Sequence, residues 1–163
     1  MQSALYKKIN KMKKIRVMLV VFMSLLVLSG ITAFPLRTEM EFLMAHKNMF
    51  PNTLAVWIET IYDAVKQTPD VVLYGTDWLA FAHIIIALFF IPVYIDPIRY
   101  KANLIVAMIA CGAVFILAFV CGPIRGIPFF HQLIDCAFGF IGFFPLWFVY
   151  KKVDQLEIQN KKS

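Results

Sequence analysis

Long apolar runs, separated by short polar connections, dominate the pattern along the chain. Four of them are long enough to cross the hydrocarbon core of a bilayer, which takes about 20 helical residues. They are residues 17–34, 78–95, 102–121 and 129–150. Because an open strand or a loop would leave backbone amides unpaired in lipid, each run is predicted to be a transmembrane helix. The pattern therefore predicts an all-α integral membrane protein, built as a four-transmembrane-helix bundle.

The connection between the first two runs, residues 35–77, has a helical pattern of its own. The segment "TEME" fits a capping box, in which Thr38 and Glu41 bond each other's backbone amides, and it predicts a helix over about residues 38–48. A second helix is predicted over residues 54–66, where apolar residues recur at helical spacing. The stripe contains Leu54, Trp57, Ile58, Ile61, Tyr62 and Val65. An amphipathic helix between two spans predicts an extracytoplasmic helical lid, with a substrate gate or a docking face as the functional alternatives.

The distribution of Lys and Arg predicts how the spans are oriented. Positive charge in short connections marks the cytoplasmic side of a membrane protein. Most basic residues fall in the leader (1–16), the turn at 96–101 and the tail (151–163). Only four of the 16 Lys and Arg residues lie on the other side, namely Arg37, Lys47, Lys66 and Arg125. Both termini are therefore predicted to be cytoplasmic, with residues 35–77 and the turn 122–128 outside, in a plasma or inner membrane.

The leader also admits a second interpretation as a secretory signal peptide, since a basic segment precedes an apolar one. Its cleavage would leave three spans. The apolar run is longer than that of a typical signal peptide, and "SGITAF" lacks a small-residue cleavage site. These observations favour a retained first span.

Composition and charge agree with a single membrane domain. Hydrophobic residues make up 61% of the 163-residue chain, against about 45–50% in soluble domains. The net charge of +6 does not indicate nucleic-acid binding, because the basic residues flank the apolar runs, where they contact anionic lipids. Cys111, Cys121 and Cys136 have no CxxC or zinc spacing, which favours small buried thiols, with a Cys121–Cys136 disulfide as the alternative.

Ionisable residues at the edge of the fourth run raise the question of function. Arg125 lies in a turn whose prolines and glycines oppose a helix, and the fourth span is predicted to begin near it. His131 and Asp135 are four residues apart and share one helix face. That face continues through Gly139 and Gly142, so it is predicted to contact another helix, and Asp135 is predicted to face into the bundle.

Similar groups lie at the same predicted edge of the other spans. Asp77 starts the second run, and His83 follows about 9 Å further along the axis, on a face with Ala80 and Ala87. We call the whole predicted set the polar layer. Its members are Arg37, Glu39, Glu41, Asp77, His83, Arg125, His131 and Asp135. The sequence leaves two interpretations open: a structural network, in which Arg125 pairs with Asp135 or Asp77, or a ligand-binding pocket.

The residue types of the polar layer permit several chemistries, and no strong motif selects among them. Zinc or iron binding by His83, His131, Asp135 and Asp77, or haem ligation by the two histidines, has no supporting ligand motif, so no metal is predicted and the cofactor is left open. No nucleophile elbow or phosphate loop is present. His131 and Asp135 remain the candidate catalytic residues of a membrane-embedded hydrolase or metal-dependent enzyme. A transporter is disfavoured by the few spans and the lack of an inverted repeat.

The leading hypothesis is a non-catalytic membrane protein that binds through the polar layer. Its ligand would be lipid-like or a small anion, or the layer would bind a protein partner. Arg125 would contact the anionic group, with His131 and Asp135 orienting it. The alternatives are the membrane-embedded enzyme and a structural accessory subunit that binds a larger membrane protein or a second copy of the chain.

Overall fold

The protein is helical throughout the part that its structure describes. The computed structural model describes residues 2–162, apart from the side chains of residues 3–5, 7, 161 and 162, and that range contains no strand. Lys7, Lys161 and Lys162, which the charge analysis includes, thus have side chains outside the described part. The elements are α1 (Gln2–Ala33), α2 (Leu36–Ala45), a 3-10 turn (Lys47–Met49), α3 (Asn52–Gln67), α4 (Asp70–Phe89), α5 (Ile91–Ile95), α6 (Lys101–Ile124) and α7 (Phe129–Lys162). The all-α prediction is confirmed.

Four stretches of helix are long and apolar enough to cross a membrane, judged by length and composition. They are Lys8–Ala33, Asp70–Ile95, Lys101–Ile124 and Phe129–Asn160. Each contains most or all of one predicted apolar run, which is consistent with a multi-pass membrane protein. The second stretch is interrupted at Phe90, between α4 and α5. Pro92 explains the break, because its nitrogen has no hydrogen to donate to the preceding turn.

The helices form two compact units, each described here by itself. The first unit contains Met1–Ser24 and Leu88–Ser163, and the second contains Leu25–Ala87. The boundaries fall within α1 and α4, so each of these helices contributes residues to both units.

The antiparallel pair of α6 and α7 is the centre of the first unit. A Cβ added at Gly139 would lie 2.6 Å from the carbonyl oxygen of Cys111, so the two backbones approach very closely there. Leu104 on α6 and Leu146 on α7 are fully buried. The prediction that the glycines of α7 mark a helix contact is confirmed, and the contacting helix is α6.

Both terminal helices continue well beyond the predicted spans, where the sequence analysis assigned a leader and a tail. Ile15 on α1, and Val153 and Leu156 on α7, are fully buried. Lys8 Nζ donates to Asn160 Oδ1 at 3.0 Å, and Lys11 Nζ donates to Gln159 Oε1 at 3.3 Å. The extensions form because apolar side chains on them are removed from solvent and the polar ones bond each other.

The second unit contains both helices predicted between the first two spans. Helix α3 begins and ends within two residues of the prediction. Ile58 is buried, and the other five residues of its apolar stripe are partly buried, so the stripe is confirmed. Helix α2 packs on α3, and an ion pair between Lys47 and Glu59 joins α3 to the 3-10 turn before it.

The capping box predicted at the start of α2 is wrong. The helix begins at Leu36, two residues before Thr38, and no side chain caps it. The carbonyl oxygen of Pro35 instead accepts the amide of Glu39 at 2.8 Å. Pro35 suits this position, because a helix start does not need the amide hydrogen that proline lacks.

Helices α1 and α4 are in close contact within the second unit. A Cβ added at Gly30 would lie 2.7 Å from the carbonyl oxygen of Ala80. Ala80 and Ala87 are both almost completely buried. The prediction that these alanines mark a helix-contact face of the second span is therefore confirmed.

Gly139→Ala tests how tightly α6 and α7 pack. Because the added methyl group would meet the backbone of Cys111, we expect the free energy of unfolding to fall by about 1–3 kcal/mol. Titration of the protein with dodecyl sulfate in mixed micelles, followed by circular dichroism, measures this change. Gly112→Ala is the matched control, since a Cβ there would meet nothing within 4 Å. Equal stability of the two variants would contradict the close approach.

Candidate functional site

The predicted polar layer is divided between the two units. Arg125, His131 and Asp135 belong to the first unit. The remaining five residues belong to the second unit, and they are Arg37, Glu39, Glu41, Asp77 and His83. The geometry of each group is given within its own unit, and the gathering of all eight into one layer stays a prediction.

The turn between α6 and α7 holds Arg125 in a defined position. The Ile127 amide donates to the Gly122 carbonyl at 2.9 Å, and the Gly126 amide donates to that of Pro123 at 3.1 Å. Gly126 has a φ of 69°, as the Schellman motif requires of the residue after the C-cap. Arg125 is the C-cap residue. The turn is shorter than the predicted 122–128, because α6 continues through Gly122 and Pro123.

Gln132 is a buried polar residue that the sequence analysis missed. Only 4% of its surface is exposed. Its Nε2 donates to the carbonyl oxygen of Ile127 at 2.7 Å, and its side chain packs where a Cβ on Gly122 would otherwise lie. The amide of Gln132 thus connects the start of α7 to the turn that carries Arg125. The spacing in the sequence could have indicated this position. Gln132 lies four residues before Cys136 and seven before Gly139, so the three share one helix face.

His131 and Asp135 are brought together at the edge of the α6–α7 contact. His131 Nε2 lies 3.8 Å from Asp135 Oδ1, and 47% of the Asp135 side chain is exposed. The prediction that Asp135 faces into the protein is therefore wrong. Gln132 and Cys136, each one position further along the helix, occupy the buried face instead. Both ionisable side chains are partly exposed.

Arg125 is exposed and carries an uncompensated charge within its unit. Among the described carboxylates of the first unit, Asp135 pairs with His131, and Asp154 and Glu157 pair with Lys101. None of them, nor Asp96, forms an ion pair with Arg125 in that part of the structure. The C-terminal end of α6 favours a cation at this position through the helix dipole. The predicted Arg125–Asp135 pair is absent from the described contacts.

Arg37, in contrast, is paired within the second unit. Its guanidinium lies 2.7 Å from Asp70 Oδ1 and donates to the carbonyl oxygen of Thr68 at 3.0 Å. It also borders a small cavity of about 230 Å³, whose lining includes Glu41 and Lys66. Asp70 is not predicted as a partner from the sequence, because the register of α2 against the start of α4 cannot be derived from the pattern of either helix.

None of the other members of the polar layer in the second unit forms an ion pair among the described residues. These members are Glu39, Glu41, Asp77 and His83. His83 Nδ1 lies 2.9 Å from the carbonyl oxygen of Leu79, one turn earlier on α4. Asp77 lies inside α4, which begins at Asp70, instead of at the start of its helix. Glu39 lies in the first turn of α2, where a negative charge interacts favourably with the helix dipole.

A second polar cluster lies at the opposite end of the α6–α7 pair. Lys101 Nζ is 2.5 Å from Asp154 Oδ1 and 3.0 Å from Glu157 Oε2, and it stands 5.0 Å from the centre of the Tyr150 ring. From the sequence, Lys101 is predicted only to mark the cytoplasmic side of the membrane. In the turn before Lys101, Asp96 Oδ1 accepts the amide of Arg99 at 3.1 Å.

The cysteines do not form the disulfide that was the alternative interpretation. All three are free: Cys136 is buried, Cys111 is partly buried and Cys121 is exposed. The buried-thiol interpretation therefore holds fully for Cys136 alone. Across the described residues, no group of three or more His, Cys, Asp or Glu side chains is arranged to hold a metal ion.

Comparison with known proteins adds no further constraint on the site. No family model, curated protein or solved structure matches this chain.

Gln132→Leu tests whether the amide fixes the turn. The variant keeps the side-chain volume but leaves the carbonyl oxygen of Ile127 without its donor, so we expect stability to fall by about 1 kcal/mol. The melting temperature in mild detergent measures the effect. Gln155→Leu, at an exposed position of the same helix, is the control and should melt like the wild type. An unchanged melting temperature for Gln132→Leu would mean that the turn does not depend on the amide.

Proposed function

We propose that this chain is a small four-span protein of a plasma or inner membrane that binds an anionic, lipid-like or small ligand through Arg125. His131 and Asp135 orient the ligand, and the protein does not catalyse a reaction. Both termini lie in the cytoplasm. In this arrangement the four long helices form a membrane bundle, and α2 and α3 form an extracytoplasmic lid.

The exposed, unneutralised guanidinium of Arg125 is the observation that carries this proposal. A charged side chain within a bilayer is costly unless something compensates it, and arginines near the helix ends extend to the interface. The other arginine of the polar layer, Arg37, has Asp70 as its partner, whereas none of the described carboxylates of the first unit forms an ion pair with Arg125. A fork of guanidinium donors matches the geometry of a carboxylate or phosphate. The Schellman turn and the Gln132 amide support pre-organisation, which lowers the entropic cost of binding.

The proposed membrane orientation is supported by the charge distribution and by the amphipathic character of α3. The basic residues cluster in the N-terminal half of α1, in the C-terminal part of α7 and at the start of α6. The positive-inside rule expects such a cluster on the cytoplasmic face. The exposed residues of α3 include Asp63 and Lys66, opposite its apolar stripe. Such a helix suits the boundary between water and a bilayer or a bundle.

The orientation is tested by labelling single introduced cysteines with a membrane-impermeant maleimide. Asn48→Cys, in the proposed extracytoplasmic segment, should be labelled in intact cells. Gln155→Cys, on α7, should be labelled only after the membrane is permeabilised. Both positions are exposed in the structure, and the unmodified chain gives the background from its own cysteines. Labelling of Gln155→Cys in intact cells would contradict the orientation.

Ligand binding at Arg125 is tested by native mass spectrometry of protein extracted in mild detergent. We expect the wild type to retain a bound mass that Arg125→Ala loses, because the neutral side chain no longer attracts the anionic group. Arg99→Ala is the matched control, since Arg99 is also an exposed arginine beside a turn of the first unit. It should retain the mass.

The same experiment separates the alternative hypotheses. A bare chain in the wild type, or a protein partner that survives in Arg125→Ala, would overturn the proposed site. A bound mass that is chemically converted by the wild type but not by Asp135→Asn would instead favour the membrane-embedded enzyme. The melting temperature of each variant shows whether it remains folded.

A further inference from the structure

An open groove of the first unit runs along α1 and is bordered on one side by Tyr94 of α5. Its volume is about 660 Å³. The lining changes character along the helix. The cations Lys8, Lys13 and Arg16 line its first part, and the aliphatic side chains of Val17, Val20 and Val21 line the part that follows.

The basic part of the groove has no acidic counterpart. The first acidic residue of the chain is Glu39, so α1 contains none. Lys8 donates to Asn160, a neutral side chain, and the Arg16 guanidinium lies 5.4 Å from the centre of the Tyr94 ring. No described carboxylate forms an ion pair with Lys8, Lys13 or Arg16. Lys101, on the same unit, shows the contrast, because two carboxylates neutralise it.

The aliphatic part of the groove is open. Between 43% and 53% of the surface of Val17, Val20 and Val21 is exposed. These residues lie within the stretch of α1 that is apolar enough to cross a membrane. From Lys8 to Val21 the helix rises about 20 Å, which is long enough for a headgroup and the first part of an acyl chain lying parallel to the helix axis.

We propose that this groove binds one anionic phospholipid. The phosphate contacts Lys13 and Arg16, with Lys8 beyond them, and an acyl chain lies along the three valines. Charge complementarity selects an anionic headgroup, and the order of cations before aliphatic residues matches the order of groups in a phospholipid. Basic pockets between membrane helices are known to bind such headgroups.

This site is independent of the proposed ligand site at Arg125, because the two share no residue. It requires insertion of α1 into the bilayer, but it does not depend on which terminus faces the cytoplasm. If the proposed orientation holds, the lipid belongs to the inner leaflet.

The test compares two double variants of α1 that lose the same charge. Lys13→Gln/Arg16→Gln removes both central cations of the groove. Lys11→Gln/Lys14→Gln removes two cations of the same helix that do not line it. Each purified full-length protein is titrated in mild detergent with phosphatidylglycerol, and occupancy is read by native mass spectrometry. Phosphatidylcholine with the same acyl chains is the neutral probe, and glycerol 3-phosphate is the headgroup without chains.

We expect the wild type and Lys11→Gln/Lys14→Gln each to bind one phosphatidylglycerol. The affinity of Lys13→Gln/Arg16→Gln for phosphatidylglycerol should be at least about tenfold lower than that of the wild type. Val20→Trp, which fills the aliphatic part without changing charge, should also weaken binding. If both double variants lost the same amount of affinity, the proposed site in the groove would be contradicted. The lipid would then be attracted only by the general positive charge at this end of α1. Equal occupancy by phosphatidylcholine, full displacement by glycerol 3-phosphate, or a second protein chain in place of lipid would overturn the proposed site as well.

Discussion

The close approach of α6 and α7 is the contact on which the first unit depends. Because Gly139 has no side chain, the backbone of α7 closely approaches that of α6 at Cys111. This approach constrains the register of the antiparallel pair toward both of its ends. At one end the register brings Gln132 under the turn that follows Gly122, and at the other it brings Asp154 and Glu157 to Lys101. The close approach at Gly139 and the ion pairs of Lys101 are compatible with one register of the two helices.

Burial in this protein separates two kinds of polar residue on the same helix. Gln132 is neutral and makes its hydrogen bond inside the pair, whereas His131 and Asp135 remain at the edge. A neutral amide is cheaper to bury than a carboxylate, which would need a compensating charge. The edge position leaves His131 and Asp135 partly exposed, while their buried neighbour Gln132 bonds the backbone of the turn. The hydrogen bond that holds the turn and the partly exposed ionisable groups thus belong to different side chains of α7.

Sequence periodicity was sufficient to predict the four apolar helices and the amphipathic α3. Each of these depends on a repeating pattern of apolar positions, and burial of that pattern is what stabilises the helix. The capping box predicted at Thr38 is wrong because α2 begins at Leu36, directly after its N-cap residue Pro35. A four-residue motif does not show where the preceding helix ends. The leader and tail were assigned as non-spanning segments from their charge, although Ile15, Val153 and Leu156 give them buried faces.

The contacts of the candidate site were less predictable than its elements. Arg37 pairs with Asp70, and Lys101 with Asp154, across 33 and 53 residues of sequence respectively. Such pairs depend on the register between helices, and no single helix pattern contains that information. The buried role of Gln132 needed the same knowledge, since its heptad-like spacing to Cys136 and Gly139 indicates a face without saying which face is packed.

The hydrogen bonds between α1 and α7 have a consequence for how the chain is made. Lys8 bonds Asn160 across 152 residues, so this contact cannot form until that whole length has left the ribosome. Until then the basic end of α1 lacks its partner helix. Closing so long a loop costs little more entropy than closing one of half the length. The order of synthesis, more than the strength of the contact, determines when the first unit is complete.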